Sequence, residues 1–126
     1  MTRLLLIVGG LLLLFGGDGN PFAPNPIDAE GLHILAVEES GDRANLTRDQ
    51  LNTLEWLPGH CESVAPGAWR ILDDDPDLSL EDGWVRQAMS RERSELPWLI
   101  VSGGARNYEG PLPSRIEIAG LTGSAD

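Results

Sequence analysis

Three short apolar runs constrain the fold of this chain more than any other feature: LHILAV at residues 32–37, WRIL at 69–72 and WLIV at 98–101. Their apolar residues do not alternate with polar ones. Strands of that kind are buried on both faces, so helices must cover the sheet on each side. Helical patterns fill the gaps between the runs. Thr47-x-x-Gln50 is a capping-box pattern, followed by Leu51, Leu54 and Leu57 at helical spacing. Pro58-Gly59 predicts the end of that helix, and Pro66-Gly67 a second break. Ser79-x-x-Asp82 predicts the cap of a second helix, with Trp84, Val85, Ala88 and Met89 inward and Arg86, Gln87 and Arg91 outward. After the third run, Gly103-Gly104 marks a tight turn, residues 106–109 return as a fourth strand, and Gly110-Pro111-Leu112-Pro113 stops it. Ser114-x-x-Glu117 then opens a short helix carrying Ile118 and Leu121. The order β-α-β-α-β-β-α predicts an α/β layered sheet.

A different signal precedes the domain. Residues 4–16 read LLLIVGGLLLLFG after Met-Thr-Arg. One positive charge followed by an apolar run has the form of a signal sequence or a short membrane anchor. The run is shorter than the roughly 20 residues of a full bilayer span. Arg3 before it and acidic residues after it place the domain on the non-cytoplasmic side. Residues 18–31, rich in Pro and Gly, read as a linker. The expected organisation is therefore a signal or anchor helix at 1–17, a linker at 18–31, a domain at 32–121 and a tail at 122–126.

Composition narrows the partners. Apolar residues make up 41% and charged residues 23% of the chain, in the range of a globular domain. The net charge is −11, every acidic residue lies at or after Asp18, and all basic residues are Arg. Such a surface repels phosphate backbones, which argues against nucleic-acid binding. The single cysteine, Cys61, excludes an intramolecular disulfide.

The segment Leu96-Pro97-Trp98-Leu99-Ile100-Val101, then Gly103-Gly104, then Gly110, resembles the thioredoxin-like fold. The likeness covers about residues 32–121. It implies that Pro97 is the cis-proline opening the third core strand. The chain is also similar to small uncharacterised thioredoxin-like proteins of bacteria and their phages, which carry the same Trp-Arg-Ile and Tyr-Glu-Gly-Pro-Leu-Pro stretches. One departure bears on chemistry. Thioredoxins carry Cys-x-x-Cys where the helix after the first strand begins, and residues 38–45 here contain no Cys. The resemblance therefore implies a redox-inactive domain, without dithiol exchange.

No residue set completes a catalytic or metal-binding pattern. His60-Cys61 is the only thiol–imidazole pair, but adjacent helical residues do not face each other, so Cys61 reads as a small half-buried residue beside a loop. Two His and one Cys are too few for a zinc site. Asp73-Asp74-Asp75-Pro76-Asp77 lacks the Gly and Glu positions of an EF-hand and reads as a solvated turn. Ser40-Gly41 and Ser102-Gly103 lack the frame of a nucleophile elbow. Trp56, Trp69, Trp84 and Trp98 read as packing residues. The expected function is an exported or membrane-tethered, non-catalytic interaction module. It needs no cofactor, meets the membrane through residues 4–16 and binds a protein partner that the sequence does not identify. The alternatives are a thiol-dependent redox protein or sensor using Cys61, and a phage virion or envelope-associated protein.

Overall fold

Strand β1 (His33–Glu38) is an interior strand of the sheet and hydrogen-bonds on both sides. It pairs in parallel with β2 (Trp69–Asp73) and antiparallel with β3 (Trp98–Ser102). Strand β4 (Tyr108–Pro111) adds antiparallel to β3, giving a four-stranded mixed sheet of order β2-β1-β3-β4. A computed structural model describes residues 24–123. The apolar segment 4–16, expected as an N-terminal helix, lies outside the described residues. Among the described residues, no helix is long and apolar enough to cross a membrane.

The continuous apolar runs supply both faces of the sheet. Ile34, Ala36, Leu99 and Val101 pack with Leu57, Cys61, Ile118 and Leu121 from α1 (Arg48–Val64) and α3 (Arg115–Thr122). Leu35, Val37, Trp98 and Ile100 point the other way, against Val85, Ala88 and Met89 of α2 (Gly83–Met89). Successive residues of a strand thus enter opposite cores, which is why the runs show no polar alternation.

Two helix starts form as their sequences predict. The Thr47 hydroxyl accepts from the Gln50 N–H and the Gln50 side chain accepts from the Thr47 N–H, at 3.1 and 2.9 Å. Ser114 and Glu117 repeat that exchange at the start of α3. The predicted break at Pro58-Gly59 does not occur: α1 runs through to Val64. Pro58 forfeits one backbone hydrogen bond, at a cost of about 3 kcal/mol. It sits on the exposed side of α1, while Leu54, Leu57 and Cys61 on the other side are buried. Burial of that stripe offsets the lost bond.

Two further expectations are corrected. Ser79 does not cap α2; its N–H donates to Asp77 Oδ1 at 3.0 Å, and the N-cap is Asp82. The Asp82 carboxylate makes no cap bond and lies 3.7 Å from Arg70. The fourth strand begins at Tyr108 rather than at 106, because the Arg106 N–H donates to Leu121 O in α3. Asn107 meanwhile holds the turn, its Oδ1 accepting from the Gly103 N–H at 2.9 Å. That turn is packed so closely that a Cβ on Gly103, where φ is +78°, would run into the Gly31 carbonyl.

The described part of the linker is docked on the domain. Ile27 is fully buried, and its backbone N–H and C=O both bond the Ser102 hydroxyl, at 3.2 and 3.1 Å. Gln87 of α2 takes the Asp28 N–H and donates to Pro26 O, at 3.1 and 3.2 Å. Residues 25–29 therefore form a strap across the α2 face of the sheet.

Candidate functional site

Because β1 and β2 are parallel, their C-terminal ends lie side by side, with Glu38 opposite Asp73. Loops at that end of an α/β sheet commonly build sites. Here the first loop is a 3-10 turn, Ser40–Asn45, leading into α1. Arg43 grips the buried Glu38 carboxylate with two hydrogen bonds of 2.8 and 2.7 Å. That bond and the Glu38 charge raise the guanidinium pKa further above its ordinary value. The Ser40 N–H donates to Asp73 Oδ1 at 3.0 Å, tying the turn to β2. Trp98 lies opposite Val37, so the strand register carries Pro97 alongside Glu38. The Leu96–Pro97 peptide is cis, and Pro97 O accepts from the Leu112 N–H at 3.0 Å. The edge is closed by internal pairs and carries no thiol.

The loop between α2 and β3 forms the next part of this end. Arg93 pairs with Asp74 at 3.0 Å, joining it to the turn after β2. Arg91 makes a two-pronged pair with Glu109 of β4, at 2.7 and 2.8 Å. The hydrogen bond to Glu109 raises the Arg91 pKa. An open groove of about 740 Å³ lies here, between residues 90–94 and the end of β4, with Trp98 in its wall. Trp98 Nε1 is buried and has no hydrogen-bond partner among the described residues.

His60 and Cys61 are not brought together as a working pair. Cys61 was expected half-buried beside a loop; it and His60 are both buried inside α1, because that helix continues past Pro58. His60 Nε2 lies 2.9 Å from Thr122 Oγ1, and its ring stacks on Trp56 at 4.4 Å. The Thr122 hydroxyl also lies 3.1 Å from the Ile118 and Ala119 carbonyls, so His60 Nε2 is tied to the last turn of α3. Cys61 instead joins the sheet-side core with Ile34, Leu57 and Val101. Burial pushes its thiol up to about 12, so it is protonated at neutral pH and a poor nucleophile.

The acidic turn is used internally at three positions: Asp73 holds Ser40, Asp74 holds Arg93, and Asp77 holds the Ser79 N–H. The bond from Ser79 lowers the Asp77 pKa. Among the described residues, no group of three or more His, Cys, Asp or Glu is placed to hold a metal ion. Of the tryptophans, only Trp98 is buried. Trp56, Trp69 and Trp84 are half-buried; Trp69 Nε1 donates to Glu62 at 2.9 Å, and Trp84 meets His33 edge-on at 4.9 Å.

Sequence reasoning missed the ion pairs Glu38–Arg43, Asp74–Arg93 and Arg91–Glu109. None has helical or cross-strand spacing, and only the assembled loops bring the partners together. Comparison with protein families, with curated proteins and with solved structures finds no match for this chain.

Proposed function

We propose that this chain is a non-catalytic, thioredoxin-like interaction module, exported or held at a membrane by residues 4–16. The observation that carries the reading is the edge where a dithiol would stand. Ser40–Asn45 is a 3-10 turn without Cys, tied down by the Glu38–Arg43 and Ser40–Asp73 contacts. The β-α-β-α-β-β-α order and the place of Pro97 alongside Glu38, which Arg43 of that turn grips, support the thioredoxin-like part. The alternative thiol chemistry has less behind it, since Cys61 lies in the core with its pKa near 12.

The reading is tested by a reporter fused after Asp126, together with capture of partners by the full chain and by Cys61→Ser. The reporter is expected outside the cytoplasm, and both baits are expected to retain the same partners. Recovery of the whole chain from Met1 in the cytosol would remove the export claim. Loss of every partner in Cys61→Ser, with the fold intact, would transfer the function to the thiol.

A further inference from the structure

The strap decides which end of the domain lies nearest the N-terminal apolar run. Asn25 Oδ1 accepts from Asn107 Nδ2 at 2.8 Å, in the turn between β3 and β4, and Ile27 is bonded to Ser102 just before that turn. His33 pairs with Ser102, Ile34 with Trp69 and Val101 with Tyr108. Turns 65–68 and 103–107 therefore close the end of the sheet opposite Glu38 and Asp73. Residues 17–24, eight in number, join this end to the run at 4–16. Eight residues reach at most about 29 Å, whereas a domain of this size is about 34 Å across. The link is too short to invert the domain while the strap stays docked.

The two ends also differ in charge. Turns 65–68 and 103–107 contain no Asp or Glu. Arg106 in the second turn is exposed and forms no ion pair among the described residues. It offsets the charge of Glu30, exposed on the strap beside Gly31, whose carbonyl lies against Gly103. Glu62 and Glu81 are taken by Trp69 Nε1 and Arg70. The opposite end exposes Glu39, Asp42 and Asp75, none of them in an ion pair among the described residues. Lipid phosphates attract a guanidinium and repel such carboxylates.

We propose that, with residues 4–16 in a membrane, the end built by turns 65–68 and 103–107 rests on the phospholipid headgroups, where Arg106 donates to a lipid phosphate. The acidic end, with the Glu38–Asp73 edge, then points away from the membrane and toward a protein partner. The inference rests on the membrane-anchored reading and adds which face meets the lipid.

The test places the ¹⁵N-labelled full chain in nanodiscs of phosphatidylcholine and phosphatidylglycerol, with some lipids carrying a gadolinium chelate on the headgroup. Paramagnetic broadening of backbone amides is the readout. Gly67, Ala68, Gly104 and Ala105 should broaden severalfold more than Gly41, Asp42 and Asp75. Arg106→Glu should lower the broadening at the first group by about twofold, since one basic residue near a lipid surface contributes only modestly. Equal broadening at both ends, or more at the acidic end, overturns the proposal and leaves the anchor standing. Unchanged broadening in Arg106→Glu overturns the phosphate contact. A chain that does not enter the discs overturns the anchored reading, and this proposal with it.

Discussion

Cys61 shows how much a residue's role depends on which way its helix faces. Adjacent to His60 in sequence, it is turned into the sheet-side core while His60 turns to Thr122. Its thiol should react with a disulfide reagent far more slowly in the native chain than after unfolding, which a timed absorbance assay reads. Its pKa also predicts a pH effect with a definite sign. The folded value is about 12 against an ordinary 9.0, so the unfolded state loses its proton first as pH rises. The Cys61 contribution is fully present below about pH 9 and fades as pH rises toward 12. Over that window stability should fall by on the order of 1 kcal/mol per pH unit from this group. Denaturant melts of Cys61→Ala should lack that part of the slope; an unchanged slope would mean the thiol ionises freely in the folded chain. Gly103 makes the opposite kind of demand, for space rather than for a proton. Its φ of +78° and the Gly31 carbonyl leave no room for a Cβ, so Gly103→Ala should lower stability by roughly 2 kcal/mol or more, read by thermal melting.

Among the elements, α1 separates what local sequence settles from what it does not. The capping boxes at Thr47 and Ser114 were legible because donor and acceptor lie three residues apart on one turn. The three core strands were legible from their unbroken apolar runs. Continuation through Pro58 was not, because it depends on burial of Leu57 and Cys61 against strands far away in sequence. The start of β4 at Tyr108 depends likewise on the reach of Arg106 to Leu121. If Pro58 is a tolerated defect, its removal should help. Pro58→Ala restores the missing bond donor on an exposed face and should stabilise the domain by about 1–2 kcal/mol. Gly59→Ala, where a Cβ meets nothing within 4 Å, should add roughly 0.5–1 kcal/mol. Chemical denaturation of both variants checks this. Destabilisation by Pro58→Ala would show that the proline is required rather than tolerated.

Taken whole, the molecule is a layered α/β domain whose edge begins earlier than its apolar pattern indicates. The first run starts at Leu32, yet Ile27 is fully buried and bonded to Ser102. A lone Ile among Pro, Asn and Gly carries no periodic signal, so the strap was invisible to pattern reading. Ile27→Ala should therefore cost about 2–5 kcal/mol, as for a core position, and hydrogen exchange should show the Ile27 amide protected. The candidate site was half legible: residues 38–45 showed that a dithiol was missing, while the ion pairs that close the edge appear only once the loops meet. The central claim is that this edge supports binding and not thiol exchange. Its most direct test is dithiothreitol-driven insulin reduction by the full chain in micelles, followed by turbidity. The account predicts a rate equal to that without protein, for the native sequence and for Cys61→Ser alike. Turnover above that background, abolished by Cys61→Ser, would contradict it.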